Sequence, residues 1–463
     1  MTSPAPAVEA LLRELGPDVV MTGARLIEMR HADWSGVESE QPLAMIRPRS
    51  TAEVSTALRI CNEHGQPVVP QGGLTGLAGG ACCTSQDVTL RLDRMNHIVE
   101  VDAVSGTVTV EAGATLQQVQ EAVSDVGLMF ALDLGSRGSC TIGGNLATNA
   151  GGNRVVRYGT MRDQVLGVEV VLADGSVASG LHKMVKNNTG YDVRHLMTGS
   201  EGTLGVITRA VLRLQPEPRA VSTAWCGLPS FEAVTTLLSR AKAELPGGAS
   251  AFEVMWPSYL DFMLTRVPNL RSPLTGRHAL YVLMESGSSD IEHNIDVFES
   301  FMGHLIEEGV VEDAAIAQSN ADAKAFWKVR DSTAEFPILL PGYVGFDVSF
   351  SIGDIGRAAT ECEAALRTTW PDCTALVYGH LGDGNLHVVA HVEDGSAEVA
   401  GAIEDCVYGL VRRYGGAVSA EHGIGVVKRK VLGHSRSPQE LALMQAIKTA
   451  LDPRDIMNRG KLL

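Results

Sequence analysis

Several features that would place this chain in a common class are missing. Its 463 residues carry 38 Lys and Arg against 54 Asp and Glu, a formal net charge of -16. This shortage of positive charge argues against a nucleic acid or an anionic membrane as a partner, since both would be repelled. No apolar run is long enough to span a membrane. A small anionic substrate would therefore have to be captured by local positive charge.

Cysteine spacing typical of metal or redox sites is also lacking. The eight cysteines include no C-x-x-C pair, so we expect reduced thiols in a cytoplasmic protein. Residues 1–15 lack a basic start followed by an apolar run, and no secretory signal is expected. The chain is long enough for two or more domains with full cores.

A histidine pair flanks an Asp-Gly turn in the stretch YGHLGDGNLHVVAH, residues 378–391. The apolar runs on either side predict two strands joined by a tight two-residue turn. His380 and His387 would then face each other directly, with Cβ atoms about 5 Å apart. Glu421, in SAEHGIG, would add a carboxylate, and such a set holds a catalytic divalent metal, most commonly zinc, with manganese as the alternative. Histidines satisfied by local hydrogen bonds are the other interpretation.

Two glycine-rich tracts follow predicted strands in the first half of the chain. The first, QGGLTGLAGGA, starts at Gln71 and matches neither a Walker A loop nor a G-x-G-x-x-G fingerprint. Its backbone N–H groups could converge on a pyrophosphate, although a flexible turn is an equal alternative. The second, Gly135 to Gly152, is dense in Gly, Ser, Thr and Asn. That composition suits a flat, polar-edged ring system held against backbone.

Changes of pattern divide the chain into four parts. An N-terminal helical segment (1–40) precedes a region of alternating strands and helices (41–217), in which Ser50 to Glu53 has the form of a capping box and Thr115 can cap a second helix. Pro216-Glu217-Pro218 marks a boundary, because two prolines around one residue stop a strand and stiffen a linker. The next region (218–420) has an order of elements that suits an antiparallel sheet with helices on one side. A C-terminal segment (421–463) closes the chain.

Five stretches, in this order, carry a family resemblance: PQGGLTG, GSCTIGGNLATNAGG, GSEGTLGVIT, YGHLGDGNLH and SAEHGIG. They resemble the FAD-dependent D-2-hydroxyacid dehydrogenases, the group of D-2-hydroxyglutarate dehydrogenase, glycolate oxidase flavin subunits and D-lactate dehydrogenase within the vanillyl-alcohol oxidase/p-cresol methylhydroxylase superfamily. The resemblance implies an α+β fold, in which a two-subdomain FAD-binding domain (41–217) is followed by an antiparallel-sheet substrate or cap domain (218–420). The C-terminal helical segment (421–463) would complete the active site.

The resemblance also implies where FAD would bind. The pyrophosphate would lie on Gln71 to Gly76, the flavin ring along Ser139 to Gly152, and Glu201 to Ile207 would line its other side. Relatives with a covalent flavin carry a histidine in the first glycine-rich loop, which this chain lacks, so non-covalent FAD is predicted. Arg459 replaces the proline that usually follows the residue matching Asn458. The predicted cofactor-binding residues are Pro70, Gln71, Gly72, Gly73, Leu74, Thr75, Gly76, Gly79, Gly135, Ser139, Cys140, Thr141, Gly143, Gly144, Asn145, Thr148, Asn149, Gly151, Gly152, Tyr158, Glu201, Gly202, Gly205, Ile207 and Asn458.

A mechanism follows from this set of residues. A 2-hydroxy acid would chelate the metal held by His380, His387 and Glu421, which lowers the pKa of its hydroxyl. His422 would take the hydroxyl proton while the α-hydrogen leaves as hydride to the flavin. Arg330 matches the arginine of a family W-x-x-R element that holds the substrate carboxylate, and Arg suits bidentate capture of that group. Taken alone, Arg330 would be read as a solvated charge.

Two departures from the family concern the substrate. D-2-hydroxyglutarate dehydrogenases carry a lysine where this chain has Gly345, and an asparagine where it has Val389. Loss of both groups should weaken selection for a dicarboxylate, so a lactate-like or apolar D-2-hydroxy acid is predicted. D-2-hydroxyglutarate, D-malate and glycolate are the alternatives within the family. A zinc hydrolase and a non-catalytic nucleotide-binding module are alternatives from other classes.

The partners are less defined by the sequence. The family favours a dehydrogenase that passes electrons to a quinone, an electron-transfer flavoprotein or a similar acceptor, but an oxygen-using oxidase stays open. A homodimer is among the assemblies left open.

Overall fold

The computed structural model describes residues 5–463, apart from the side chains of residues 291 and 292. The strands are β1 (Val20–Met21), β2 (Ala44–Ile46), β3 (Val68–Gln71), β4 (Val88–Arg91), β5 (Ile98–Asp102), β6 (Thr107–Glu111), β7 (Leu128–Met129), β8 (Val165–Val171), β9 (Val177–Gly180), β10 (Val206–Arg213), β11 (Gln215–Pro216), β12 (Ala220–Leu228), β13 (Ala251–Met255), β14 (Leu280–Ser288), β15 (Asp313–Ile316), β16 (Val344–Ser349), β17 (Thr374–His380) and β18 (Asn385–His391). The α-helices are α1 (Pro6–Leu15), α2 (Thr51–His64), α3 (Leu116–Ser124), α4 (Ile142–Ala147), α5 (Val155–Tyr158), α6 (Met161–Gln164), α7 (Val193–Met197), α8 (Phe231–Glu244), α9 (Pro257–Arg266), α10 (Ile291–Glu307), α11 (Asn320–Asp331), α12 (Phe336–Leu339), α13 (Ile352–Thr369), α14 (Ala397–Arg413) and α15 (Pro438–Leu451).

The chain divides into two units. The first comprises Met1–Gly152, Gly159–Glu217 and Glu421–Leu463, and the second comprises Asn153–Tyr158 and Pro218–Ala420. The segments 1–40 and 421–463 thus belong to the same unit as the region predicted to bind FAD. The division into four parts remains a prediction.

The first unit contains two main sheets around one apolar core. In the four-stranded sheet, ordered β1-β2-β4-β3, strands β2, β4 and β3 pair in parallel. The second sheet is antiparallel and five-stranded, in the order β5-β6-β10-β8-β9. Side chains from both sheets, including Val88 and Val168, join Val54 and Leu58 of α2 in one buried cluster. Two small sheets that share a core form the two-subdomain arrangement that the family resemblance implied.

Local sequence signals account for where two of its helices start. The Ser50 hydroxyl accepts the N–H of Glu53 at the start of α2, at 3.3 Å. Thr115 and Gln118 form a reciprocal capping box at the start of α3. Such caps satisfy N–H groups that have no partner within a helix. Both caps were predicted from the sequence.

The second unit is built on one seven-stranded antiparallel sheet, in the order β15-β12-β14-β13-β17-β18-β16. One face of this sheet packs against α9 and α11. Trp225 and Tyr378 from the strands form an apolar cluster there with Tyr259 of α9 and Val329 of α11. This face also carries the charged and histidine side chains described below.

Among the described residues, no helix combines the length and the apolar character needed to cross a bilayer.

Candidate functional site

The two glycine-rich tracts lie directly against each other within the first unit. A Cβ atom at Gly73 would stand 1.9 Å from the carbonyl oxygen of Ser139, and one at Gly72 would stand 2.5 Å from Thr141 Oγ1. Only glycine allows this approach. In the described chain, the N–H groups of Gly72 to Gly76 donate to no protein acceptor. A run of unused amides beside a close-packed backbone is a cradle that fits a pyrophosphate.

Several polar residues of the second tract serve the tract itself. The Thr141 side chain caps α4 by accepting the N–H of Gly144 at 3.4 Å. The Thr148 hydroxyl donates to the carbonyl of Gly144, and Asn149 Oδ1 accepts the N–H of Arg162 at 2.9 Å. These bonds hold the backbone that would face the flavin. Tyr158, another predicted cofactor residue, belongs to the second unit.

Glu201 and Asn458 both make contacts that the sequence did not reveal. The Glu201 carboxylate accepts the N–H groups of Ile424 and Gly425, each at 2.7 Å. Burial raises the pKa of this carboxyl, and the two N–H groups act in the opposite direction. Asn458 Nδ2 donates to the carbonyls of Gly80 and Glu201, at 3.0 and 2.7 Å. The two side chains thereby tie the SAEHGIG loop and the C-terminal segment to the glycine-rich region.

The hairpin that carries the two histidines differs from the predicted one. Its loop has four residues, a 3-10 turn at Leu381–Asp383 followed by Gly384 at φ 85°, so the predicted two-residue turn is wrong. The longer loop shifts the register, and His387 pairs with Tyr378. His380 is therefore diagonal to His387 and not directly opposite, a change that a different turn imposes on the whole ladder. Both side chains stay on one face, and their ring centroids are 5.3 Å apart.

His380, Glu253 and Arg330 form a buried cluster of three charged or titratable side chains. Glu253 Oε1 lies 2.6 Å from His380 Nδ1, and Glu253 Oε2 accepts a hydrogen bond from Arg330 Nε at 2.8 Å. Arg330 Nη2 lies 3.1 Å from His380 Nε2. Burial raises the pKa of the Glu253 carboxyl, but its contacts with Arg330 and His380 outweigh this effect and lower the pKa to about 2. Arg330 is thus a buried, paired cation, not the solvated charge that an isolated reading allowed.

Three residues of this face were missed by the sequence analysis. Glu253 interrupts the apolar strand β13, and a carboxylate inside such a strand was a signal that could have been used. Asp347 is directly opposite His387 in the ladder, and its Oδ2 accepts a hydrogen bond from Ser419. Asn385 is 3% exposed, and neither its Nδ2 nor its Oδ1 has a hydrogen-bond partner. A buried amide in this state fits a site that receives a polar ligand.

The predicted metal ligands come from both units. His380 and His387 belong to the second unit, whereas Glu421 and His422 belong to the first. Within the first unit, Glu421 Oε1 accepts the N–H of Gly152 at 3.1 Å. Two imidazoles on one face are a donor set that suits zinc, and a carboxylate is the ligand type that manganese prefers. The complete three-ligand site remains a prediction.

The matches to family models cover both predicted functional regions. Residues 42–179 match the FAD binding domain, and residues 217–462 match the C-terminal domain of FAD linked oxidases. The chain belongs to the FAD-linked oxidases. The predicted family and FAD as the cofactor of its N-terminal domain are confirmed.

Curated relatives match over nearly the whole chain. A D-2-hydroxyglutarate dehydrogenase of Xanthomonas citri pv. viticola is 38% identical over 435 residues, which cover 93% of this chain and 91% of the relative. The mitochondrial D-2-hydroxyglutarate dehydrogenase of Arabidopsis thaliana is 36% identical over 449 residues, 97% of this chain and 80% of the relative. A candidate mitochondrial D-lactate dehydrogenase of Schizosaccharomyces pombe is 34% identical over 437 residues, 92% and 82% of the two chains. Because relatives are named as mitochondrial, the cytoplasmic location stays a prediction.

Solved structures support the fold. A p-cresol methylhydroxylase with substrate bound superimposes with a TM-score of 0.76 at 18% identity, covering 98% of this chain and 96% of the other. An alkyldihydroxyacetonephosphate synthase gives a TM-score of 0.74 at 17% identity, covering 99% and 86%. The predicted p-cresol methylhydroxylase-type α+β fold is confirmed.

Proposed function

We propose that this protein is an FAD-dependent dehydrogenase that oxidises a D-2-hydroxy acid with a small or apolar side chain to the 2-oxo acid. The observation that carries the proposal is the group of Arg330, His380 and His387, which lies on one face of the seven-stranded sheet beside the apolar cluster that contains Tyr259 and Tyr378. The names of the relatives support a D-2-hydroxy acid as the substrate class. FAD, when bound, would accept a hydride from the substrate carbon.

Arg330 is proposed to bind the substrate carboxylate. It is a buried cation, and a carboxylate that leaves water needs such a partner. Its Nε is committed to Glu253. Of the other guanidinium nitrogens, Nη1 lies 3.6 Å from Asp331 Oδ1 and Nη2 lies 3.1 Å from His380 Nε2, and these two are the ones that could turn to a substrate.

The preference for one substrate side chain over another is proposed to depend on Gly345 and Val389. These two residues are directly opposite each other in the ladder between β16 and β18. The two departures from the D-2-hydroxyglutarate dehydrogenases therefore fall at one place on the sheet. Val389 belongs to the apolar cluster with Tyr378, and Tyr343 packs against the cluster. A Cβ atom at Gly345 would stand 3.1 Å from the Tyr343 ring, so a side chain at this position requires the ring to move by a few tenths of an ångström.

A divalent metal held by His380, His387 and Glu421 is proposed as the second cofactor. The N–H of Ala420 donates to the carbonyl of Asp347 at 3.3 Å, and Asp347 faces His387 in the ladder. Glu421 follows Ala420 directly, and consecutive Cα atoms are about 3.8 Å apart. Chain connectivity therefore supports Glu421 as a third ligand. The bound metal would lower the pKa of the substrate hydroxyl.

His422 is proposed to accept the hydroxyl proton. It follows Glu421, and imidazole is the side chain that most often serves as a general base. The loop that carries His422 is held in place just after this residue, because the N–H groups of Ile424 and Gly425 donate hydrogen bonds to Glu201. A fixed loop would keep the base at one distance from the substrate.

Oxidation of D-2-hydroxyglutarate is the second candidate function, favoured by relatives of that name at 36–38% identity. Anaerobic mixing of the purified protein with D- and L-2-hydroxy acids, followed by flavin absorbance, separates the two. D-lactate and its apolar homologues should bleach the flavin with a higher specificity constant than D-2-hydroxyglutarate or D-malate. The reverse order would overturn the proposed substrate class.

The role of His422 has its own test. The His422→Ala variant should stay yellow and keep its metal, while turnover falls by roughly 100- to 10,000-fold. His64, exposed at the end of α2, provides the matched control, and His64→Ala should leave turnover unchanged. Near-normal turnover of the His422 variant would refute its assignment as the base.

A further inference from the structure

Glu253 contacts two groups of the proposed active site with its two carboxylate oxygens. It is 1% exposed and directly opposite His380 in the ladder between β13 and β17. One oxygen lies 2.6 Å from His380 Nδ1, and the other accepts from Arg330 Nε at 2.8 Å. Both contacts lie in the interior of the protein, because His380 and Arg330 are buried as well. Each oxygen of this fully buried carboxylate therefore depends on its one partner, and the loss of either partner would be costly.

We propose that Glu253 is a positioning residue that orients the metal ligand His380 and the substrate-binding Arg330 together. The inference rests on the proposed function, which supplies the roles of those two residues. Glu253 touches neither substrate nor cofactor in this arrangement, and it acts through the two side chains that do.

The effect on His380 concerns which ring nitrogen carries the proton. A carboxylate can only accept, so it holds the proton on Nδ1 and leaves the Nε2 lone pair available. That lone pair is the one that meets Arg330 Nη2, at 3.1 Å. A cation on Nε2 would take the place of this hydrogen bond, and Nη2 would then be free to donate to another acceptor. Carboxylates that orient metal-binding histidines in this way strengthen metal binding.

The effect on Arg330 concerns the orientation of the guanidinium plane. The bond from Nε to Glu253 fixes this plane, and the centre of the group lies 5.6 Å from the Tyr378 ring. A guanidinium held at Nε presents its remaining nitrogens in one direction, which suits two-point binding of a carboxylate. Loss of this bond should therefore weaken substrate binding more than it slows the chemical step.

The test compares Glu253→Gln with Glu285→Gln in the full-length flavoprotein. Glutamine keeps the shape but offers one oxygen and an NH2 group, so one of the two donors loses its acceptor. Glu285 is the matched control, because it lies on the neighbouring strand β14, and its Oε1 is bonded to Trp327 and Thr223. Flavin content and thermal melting confirm that each variant is folded.

Two readouts would distinguish positioning from a structural role. Titration of apo-protein with Zn²⁺ and with Mn²⁺ should show roughly 10- to 100-fold weaker metal binding for Glu253→Gln than for the wild type. Metal binding by the control, Glu285→Gln, should be unchanged. The KM for the best hydroxy acid should rise several-fold more than kcat falls. In a His380→Ala background, the change at Glu253 should weaken metal binding no further, because its effect passes through that imidazole.

Each outcome decides a separate point. Unchanged metal affinity and KM in a folded Glu253→Gln protein would overturn the positioning role while leaving the proposed function intact. Equal losses with and without His380 would also overturn it, since Glu253 would then act on the metal by another route. If no hydroxy acid reduces the wild-type flavin, the proposed function fails, and the metal titrations still decide whether Glu253 orients His380. Should Glu253→Gln fail to fold, Glu253→Asp retains the charge on a side chain one methylene shorter and replaces it in both assays.

Discussion

Gly73 offers a direct test of the FAD cradle. A Cβ atom added there would stand 1.9 Å from the carbonyl oxygen of Ser139, whereas real contacts of this kind are at least 3.0 Å. The two glycine-rich tracts would have to separate by roughly 1 Å, and forced overpacking of this kind costs about 1–3 kcal/mol. Because both tracts are backbone at this point, no side-chain rotation can relieve the clash. If the strain falls on the cofactor site, Gly73→Ala should bind FAD roughly 5- to 100-fold more weakly.

The measurement is a titration of apo-protein with FAD, followed by flavin fluorescence, together with a thermal melt. Gly433 in the same unit is exposed, and a Cβ there would meet nothing within 4 Å, so Gly433→Ala serves as the control. Gly72→Ala should lie between the two, since its Cβ would meet the movable Oγ1 of Thr141. An unchanged FAD dissociation constant for Gly73→Ala would show that the contact between the two tracts does not shape the cofactor site.

Two further predictions concern specificity and stability. The double variant Gly345→Lys, Val389→Asn should raise kcat/KM for D-2-hydroxyglutarate relative to D-lactate by roughly 10- to 100-fold, since a charged hydrogen bond contributes about 1.5–3 kcal/mol. Steady-state assays on both acids measure this ratio. An unchanged ratio would show that other residues select the substrate. Lys448 is 7% exposed, and its Nζ donates to the carbonyls of Thr203 and Met457 at 3.0 and 2.8 Å. Lys448 Nζ also lies 2.5 Å from Oδ2 of the buried Asp452, so Lys448→Met removes the cation from this carboxylate and should lower the unfolding free energy by about 3–5 kcal/mol. Denaturant unfolding measures this change, with Lys324→Met at an exposed position as the control. A Lys448→Met variant as stable as the wild type would contradict the prediction.

Local signals predicted much of the fold. Ser50 and Thr115 start their helices where the capping patterns placed them, because a cap depends on residues only three positions apart. The register of the histidine hairpin was wrong, since the Asp-Gly pair was taken as a two-residue turn and the chain uses a four-residue loop. Turn type is settled by the packing of both strands in a wider sheet, which a short sequence window does not contain.

The candidate site shows the same division. His380, His387, Glu421 and Arg330 were recognisable by residue type and motif. Glu253 was not, because it lies 127 positions from His380 in the sequence and meets it only across the ladder. Glu201 was expected at the cofactor, yet its carboxylate holds the backbone of a loop more than two hundred residues away.

The sequence by itself determined the family and the residue types available for catalysis, and it predicted the FAD-binding tracts, because motifs of this kind depend on short, ordered runs of residues. Only the tertiary structure decided that Gly345 and Val389 share one place, that His380 is diagonal to His387, and that Arg330 is buried against Glu253. These facts depend on strand register and on burial. Both are set by how distant segments pack together, since a shift of one residue would turn every side chain of a strand to the other face.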